Sequence, residues 1–174
     1  RGMEAVVAGF PPSPMPSTLK LPKSQGGFAT LGNVLQAQGY RTAFIYGGVA
    51  NFDNMRSFYQ SNGFEKIIEQ GDFKQPKILG VWGVSDEDWV HKAHETFTQY
   101  YQQDSNKPFL AVMMSTTNHD PFEFPAGRVT PYEQPLNTRH NAMQFADYAI
   151  GEFFKLARNA PYYKDTIFVV VADH

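Results

Sequence analysis

An aspartate and a histidine close the sequence at a position where ligand-binding groups often gather. Asp173 and His174 follow the uninterrupted apolar run Thr166 to Ala172, which is typical of a strand buried on both faces in a parallel sheet. Open α/β sheets bind ligands outside the carboxyl ends of their strands, and Asp and His are both common metal ligands. Two interpretations of the pair stay open: a metal site, or an aspartate that caps the turn after the strand.

Two other segments place polar side chains just after predicted strands. His119 follows one of these strands. Three polar side chains follow the other: Asp53, Asn54 and Arg56. Because the carboxyl ends of parallel strands lie at one edge of a sheet, we expect these groups to converge with Asp173. An imidazole can hydrogen-bond a phosphoryl oxygen, and a guanidinium suits phosphate or sulfate. The alternatives stay open: a loop histidine that is solvated or bonded to backbone, and a solvated helix face.

The elements that position these groups alternate between strands and helices. The predicted strands are 42–46, 65–69, 109–115 and 166–172, and the predicted helices are 28–38, 52–61, 85–102 and 137–157. Ser85 is a good N-cap, with Asp86, Glu87 and Asp88 favourably placed in the first turn that follows it. The alternation predicts an α/β fold, with a mostly parallel central sheet and helices on both faces. Residues 121–135 carry four prolines and are predicted to form a surface loop.

Composition excludes several classes of protein. The chain has 15 Lys and Arg against 17 Asp and Glu, a net charge of −2, which gives no electrostatic reason to propose a nucleic acid as partner. The absence of cysteine rules out a disulfide framework and a thiolate zinc site. No apolar run approaches the roughly 18 residues of a membrane span, and the opening residues are not a signal peptide. We therefore expect a piece of a larger protein, with any membrane anchor outside it.

Eight short motifs along the whole chain form one set. They are Arg1–Ala5, Gly39–Thr42, Ile45–Gly48, Phe52–Arg56, Asn62–Phe64, Trp82–Asp88, Thr116–Phe122 and Val171–His174. In content and order they resemble the lipoteichoic acid synthases and phosphoglycerol transferases, a branch of the sulfatase (alkaline phosphatase) superfamily. The resemblance implies that residues 1–174 are part of a sulfatase-like catalytic domain, with an incomplete version of that family's α/β fold.

The resemblance also implies roles for the histidines and aspartates singled out above. Asp173 and His174 match the family's metal ligands, and the expected metal is Mn²⁺ or Mg²⁺. His119 matches the residue that contacts the phosphoglycerol group of the substrate. The family's nucleophile is a threonine that also binds the metal, and it is expected before Arg1. Further site residues are expected after His174.

One loop departs from the pattern of the Gram-positive lipoteichoic acid synthases. Those enzymes carry a tryptophan and an arginine in the loop after the strand 42–46, where this chain has Asp53 and Met55. The sequence of the loop looks more like that of the Gram-negative phosphoglycerol transferases. We therefore expect Asp53, Asn54 and Arg56 to replace the missing substrate contacts.

The resemblance implies a parent enzyme that transfers phosphoglycerol through a threonine-linked intermediate. The expected donor is a lipid such as phosphatidylglycerol, and the expected acceptor is an envelope glycan or glycolipid, at a membrane with the catalytic domain facing the periplasm or the cell exterior. Residues 1–174 alone are expected to be inactive, because the nucleophile and part of the metal shell are missing. The alternatives are a phosphoethanolamine transferase or sulfatase of the same superfamily, or a non-catalytic relative that binds envelope glycans.

Overall fold

The computed structural model describes residues 2–10, 14, 16–23 and 25–173. Within these residues the helices are α1 Gly2–Ala8, α2 Leu31–Gln36, α3 Met55–Ser61, α4 Asp86–Gln103 and α5 Arg139–Ala157. The strands are β1 Arg41–Tyr46, β2 Lys66–Ile68, β3 Leu79–Gly80, β4 Gly83–Val84 and β5 Phe109–Met114. Single 3₁₀ turns occupy Thr18–Lys20, Phe52–Asn54, Gln70–Asp72 and Tyr163–Asp165.

The central sheet has three parallel strands in the order β2-β1-β5. In this register Tyr46, the last residue of β1, pairs with Met114, the last residue of β5. The carboxyl ends of these two strands therefore lie side by side, and the segments that follow them start from the same edge. This arrangement confirms the predicted parallel α/β sheet. The sequence patterns did not predict the short antiparallel pair β3-β4.

Alternate side chains of β1 enter two different hydrophobic layers, because successive residues of a strand point to opposite faces. Ala43 and Ile45 belong to a layer that includes Val90 and Phe97 of α4 and Phe153 of α5. All five are buried. One face of the sheet is thus covered by the two long helices of the chain.

The opposite face of the sheet packs against the shorter helices. Phe44 and Tyr46 belong to a layer with Val7 of α1 and with Phe58 and Tyr59 of α3. The rings of Phe44 and Tyr59 stack with 3.9 Å between their centroids, a contact worth about 0.5–1.5 kcal/mol beyond the area it buries. Helices therefore cover both faces of the sheet, as predicted.

The long helices begin where capping residues satisfy their first backbone N–H groups. The Ser85 hydroxyl accepts a hydrogen bond from the Asp88 N–H at 3.2 Å, and Thr138 caps α5 by accepting from the Asn141 N–H. The Ser85 cap confirms the predicted start of α4. Neither long helix, nor any other helix among the described residues, combines the length and apolar character that crossing a membrane requires.

The predicted helix 52–61 is interrupted near its beginning. Asp53 and Asn54 have φ angles of 50° and 58°, in the left-handed region that Asp and Asn tolerate better than most residues. The α-helix therefore begins only at Met55. The two left-handed residues turn the chain between the end of β1 and α3.

The prediction of a strand over residues 166–172 is wrong. These residues belong to no strand of the described structure, and Ile167 and Val169 are 90% and 72% exposed. Phe168 does pack on the hydrophobic layer, against Phe153 and Phe154. An apolar run becomes a buried strand only where another strand pairs with its backbone and layers cover both of its faces. The described residues supply neither for this segment.

The same substitution at two helical glycines is expected to change stability in opposite directions. A Cβ at Gly32 in α2 would lie 2.5 Å from a ring carbon of Phe64 and 2.6 Å from the Asn62 carbonyl oxygen, whereas nothing lies within 4 Å of a Cβ at Gly151 in α5. Gly32→Ala should lower the free energy of unfolding by about 1–3 kcal/mol through overpacking. Gly151→Ala should raise it by about 0.5–1 kcal/mol through helix propensity. Urea denaturation of both variants checks this. A Gly32→Ala variant with an unchanged free energy of unfolding would contradict the close packing at Gly32.

Candidate active site

Glycines at the end of β1 allow a close crossing with β4. Gly83 has a φ of +133°, and a Cβ there would collide with the Gly47 carbonyl oxygen. That oxygen accepts a hydrogen bond from the Val84 N–H at 3.0 Å. A Cβ at Gly48 would lie 2.5 Å from the Trp82 carbonyl oxygen. The crossing therefore needs residues without side chains, and it brings Trp82 to the edge where β1 and β5 end.

Trp82 and His119 form the centre of the candidate site. Their rings lie 4.5 Å apart between centroids, at an interplanar angle of 32°. The Trp82 indole N–H donates to the Asp120 carbonyl oxygen at 2.6 Å, and the Phe52 ring lies edge-on to Trp82 at 5.4 Å. Phe52 follows β1 and His119 follows β5, so the segments that follow these two strands meet at Trp82. The convergence of His119, Asp53, Asn54 and Arg56 with Asp173 stays a prediction.

A carbonyl oxygen fixes the proton position on His119. Its Nδ1 lies 3.3 Å from the Thr116 carbonyl oxygen. Because a carbonyl oxygen only accepts hydrogen bonds, Nδ1 carries a hydrogen. In the neutral ring Nε2 then holds the lone pair, and in the charged ring it carries a second N–H. His119 is half-buried, in a cleft that is also lined by Gly80, Gly83 and Glu123.

The loop that carries His119 is tied to the first residue of α4. Asp86 is 1% exposed, and its Oδ1 accepts from the N–H groups of Thr116 at 2.9 Å and Thr117 at 3.2 Å. Burial raises the pKa of Asp86, while hydrogen bonds from Thr116 and Thr117 and the interaction with His119 act in the opposite direction. The sequence places Asp86 in the first turn of a helix and in the motif Trp82–Asp88. No local pattern indicates its contact with a loop 30 residues further along.

Asp53 and Asn54 contact the 3₁₀ turn Thr18–Lys20 in this structure. The Asp53 carboxylate pairs with the Lys20 ammonium at 3.0 Å, and the Asn54 side-chain amide donates to the Leu19 carbonyl oxygen at 3.0 Å. Phe52, directly before them, contacts Trp82. Their loop therefore lies beside the cleft, and their role as substrate ligands stays a prediction.

Arg56 forms an ion pair with Glu69. The second oxygen of the Glu69 carboxylate accepts a hydrogen bond from the Ala50 N–H at 2.7 Å. Glu69 thus ties the start of α3 to the turn after β1. The Arg56 guanidinium is directed toward this carboxylate, and its assignment to the substrate also stays a prediction.

Asp173 lies against the first turn of α1. The Met3 N–H donates to its Oδ1 at 3.1 Å. Burial raises the pKa of Tyr59, and the charges of Asp173 and Glu4 add to this rise. The Tyr59 hydroxyl has no hydrogen-bond partner among the described residues. His174, the second predicted metal ligand, lies outside the described residues.

The described residues do not by themselves form a metal site. Asp173 supplies one carboxylate oxygen, the kind of donor that Mg²⁺ and Mn²⁺ prefer. No group of three or more His, Asp or Glu side chains in the described part of the chain could hold a metal ion. The assignment of Asp173 and His174 as metal ligands therefore stays a prediction.

An ion cluster forms around the buried Glu87 carboxylate. The Glu87 side chain is 5% exposed and contacts the Lys77 ammonium at 2.6 Å and the Arg128 guanidinium at 2.9 Å. Burial alone would raise the pKa of Glu87, but the hydrogen bonds and charges of Lys77 and Arg128 outweigh it and the pKa is lowered. The cluster joins the start of α4 to the proline-rich loop 121–135, which is a surface connection as predicted.

Comparison with known proteins identifies the family. The sulfatase family model matches residues 1–174. The chain belongs to the sulfatase family. Phosphoglycerol transferase I from Xanthomonas axonopodis pv. citri is 30% identical to it over 185 aligned residues, which cover 99% of this chain and 26% of that protein. This sulfatase-family chain thus spans about a quarter of the length of the curated relatives it matches, and they bear out the resemblance to phosphoglycerol transferases.

Solved structures of the same superfamily share the fold. A protein of the alkaline phosphatase superfamily from Vibrio parahaemolyticus is 48% identical, with a TM-score of 0.95 over 99% of this chain and 42% of that one. The lipoteichoic acid synthase LtaP from Listeria monocytogenes is 23% identical, with a TM-score of 0.78 over 91% of this chain and 39% of that one. These likenesses confirm the predicted sulfatase-type α/β architecture, present here in part.

Removing the charge of Glu87 is expected to destabilise the protein in a pH-dependent way. Glu87→Gln should lower the free energy of unfolding by about 1.5–3 kcal/mol at pH 7, because hydrogen bonds to charged groups are lost in a buried place. The lowered pKa means that the carboxylate's contribution is present above its ordinary pKa of 4.5 and is lost as the pH falls through the folded value. The difference from the unmodified protein should therefore shrink below about pH 4.5.

Glu95→Gln is the matched control for this measurement. Glu95 lies on the same helix and pairs with Lys92 at 3.0 Å, but its side chain is 52% exposed. Its loss should cost less than about 0.5 kcal/mol, because water and salt screen exposed pairs. Urea denaturation of both variants between pH 3 and pH 7 gives the comparison. Equal losses, or a Glu87→Gln effect that does not change with pH, would contradict this account of the cluster.

Proposed function

We propose that the full-length protein transfers phosphoglycerol from a lipid donor such as phosphatidylglycerol to an envelope glycan or glycolipid. The observation that carries the proposal is the Trp82–His119 pair at the carboxyl edge of the sheet. A relative named phosphoglycerol transferase I aligns with 99% of the chain that carries this pair. We further propose that the reaction takes place at a membrane and faces the periplasm or the cell exterior, because a lipid donor and an envelope acceptor meet there.

His119 is proposed to bind the phosphoglycerol group through Nε2. The hydrogen bond from Nδ1 to the Thr116 carbonyl oxygen supports this, since it puts the hydrogen of the neutral ring on Nδ1 and the lone pair on Nε2. A charged imidazole donates to a phosphoryl oxygen more strongly than a neutral donor does. The Trp82 ring contacts the imidazole at 4.5 Å between centroids and so limits its rotation.

Asp53, Asn54 and Arg56 are proposed to contact the rest of the phosphoglycerol or the acceptor. The contact between Phe52 and Trp82 supports this, because it brings their loop beside the cleft. Arg56 offers a planar donor that matches a phosphate group, and Glu69 is the carboxylate with which such a substrate would compete.

The nucleophile is proposed to be a threonine that precedes Arg1, as the resemblance implies. Asp173 and His174 are proposed to hold a divalent ion, Mn²⁺ or Mg²⁺, which when bound lowers the pKa of a coordinated hydroxyl and polarises phosphoryl oxygens. The contact of Asp173 with the Met3 N–H supports this, since it puts the carboxylate beside the residues that follow the proposed threonine. In the first step the threonine oxygen bonds to phosphorus, the bond from phosphorus to the diacylglycerol oxygen breaks, and the threonine proton ends on the diacylglycerol. In the second step the acceptor oxygen bonds to phosphorus, the bond from phosphorus to threonine breaks, and the acceptor proton returns to the threonine.

The test is metal-dependent release of diacylglycerol by the full-length protein. Phosphatidylglycerol is supplied with Mn²⁺, and a parallel sample contains EDTA. His119→Ala should lower the rate by roughly 100-fold or more, because a positioned acid–base or phosphate-binding group is lost. His140→Ala is the matched control: His140 is exposed and pairs with Glu133 at 3.0 Å, so this variant should keep the full rate.

Each other outcome has a defined meaning. An unchanged rate in His119→Ala would remove this residue from the site. Release from phosphatidylethanolamine in place of phosphatidylglycerol would favour a phosphoethanolamine transferase, and cleavage of a sulfate ester would favour a sulfatase. A folded, metal-loaded protein that releases nothing from phosphatidylglycerol would overturn the proposed reaction.

A further inference from the structure

A buried carboxylate behind His119 takes no part in the reaction proposed above. We propose that Asp86 is a positioning residue, which sets the orientation and the protonated nitrogen of His119 through the peptide plane between Thr116 and Thr117. The catalytic consequence of this role rests on the proposed function, whereas the structural role does not.

The first step is the contact between Asp86 and the backbone of the loop. One carboxylate oxygen, Oδ1, accepts from two successive N–H groups, those of Thr116 and Thr117. A further hydrogen bond joins the same two segments, because the Asp86 N–H donates to the Thr117 hydroxyl at 3.3 Å. At 1% exposure, no water competes for these donors, and an unpaired N–H here would cost about 1–3 kcal/mol.

The second step follows from the planarity of the peptide bond. The Thr116 carbonyl and the Thr117 N–H belong to the same peptide unit, and in a trans peptide they point in opposite directions. Holding the N–H toward Asp86 therefore directs the carbonyl oxygen away from it. That oxygen is the one that lies 3.3 Å from Nδ1 of His119.

The third step is the effect on the imidazole. The directed carbonyl oxygen requires a hydrogen on Nδ1, so the neutral ring carries its lone pair on Nε2. If the peptide plane rotated, the ring would lose this acceptor and the other neutral tautomer would become accessible. Contact with the tilted Trp82 ring restricts the plane of the imidazole but does not distinguish its two nitrogens.

A comparison with Asp88 separates this role from ordinary helix capping. Asp88 also lies in the first turn of α4, and its carboxylate accepts from the Ser85 hydroxyl at 2.8 Å and the Lys77 N–H at 3.0 Å. Those contacts serve the start of the helix and the segment before it. Asp86 is the more deeply buried of the two, and its side chain binds the loop that carries His119.

A double-mutant cycle in the full-length protein tests the proposal. Asp86→Ala should slow release of diacylglycerol by about 100-fold, the scale of a misplaced catalytic group. Asp86→Asn should recover most of the rate, because its amide oxygen still accepts from both N–H groups. In the His119→Ala background, Asp86→Ala should change the rate by less than about threefold, because two residues that act as one unit are not additive. Asp88→Ala, the control, should stay within about threefold of the unmodified rate.

A cycle in which the two losses multiply would overturn the proposal, since Asp86 would then act independently of His119. Thermal unfolding identifies a variant that fails to fold. If Asp86→Ala fails, Asp86→Glu replaces it, because the longer side chain displaces the acceptor oxygen. An unmodified protein that releases no diacylglycerol counts against the proposed function and not against the positioning role.

The positioning role has a readout that needs no turnover. The ¹⁵N shifts of labelled histidine rings report which nitrogen carries the hydrogen, and His119→Ala assigns the signal. The unmodified protein should show His119 with hydrogen on Nδ1. The Asp86→Ala or Asp86→Glu variant should show a mixture of both tautomers. A ring spectrum unchanged by either Asp86→Ala or Asp86→Glu would overturn the proposal.

Discussion

The central strand β1 is the constraint on which the rest of the structure depends. It is the middle strand of the sheet, so its backbone pairs on both edges, and from Ala43 to Tyr46 its side chains are almost fully buried. The two long helices pack on one side of it, and two of the shorter helices, α1 and α3, pack on the other. Because the layers on both faces of the sheet meet at this strand, the position of its carboxyl end is fixed by the packing of both layers.

The residues of the candidate site are positioned relative to the carboxyl end of β1. The glycines after β1 let Gly83 approach the backbone closely, and this contact sets the place of Trp82. His119 lies in the loop after the neighbouring strand β5, and the buried Asp86 of α4 fixes that loop. A close backbone approach at Gly83 and the hydrogen bonds to Asp86 thus bring together the rings of Trp82 and His119, which are 37 residues apart in the chain.

The sequence predicted those parts of the fold that depend on local signals. Ser85 with the acidic residues after it identified the start of α4, and the alternation of apolar segments identified the sheet. The run from Thr166 to Ala172 carried the same apolar signal as a buried strand, but pairing and covering layers are tertiary properties that its composition does not contain. In the same way, left-handed Asp53 and Asn54 look like helix residues until their backbone angles are known.

The site was only partly predictable for the same reason. His119 was identified because it follows an apolar strand and matches a family motif. The pattern around Asp86 indicates the start of a helix. Its contact with Thr116 and Thr117 spans about 30 positions, so no pattern of neighbouring residues indicates that contact. The ion pair of Arg56 with Glu69 was equally invisible, and it decides where the guanidinium points.

The edge-on contact of Phe52 with Trp82 has a mechanical consequence. It is the ring contact that joins the loop after β1 to the Trp82–His119 pair, and dispersion forces of this kind have little directional preference compared with hydrogen bonds. The His119 loop is held by hydrogen bonds to a buried carboxylate. The Phe52 loop is held to the turn Thr18–Lys20 through Asp53 and Asn54, so a displacement of that turn would reach the Trp82 ring through Phe52.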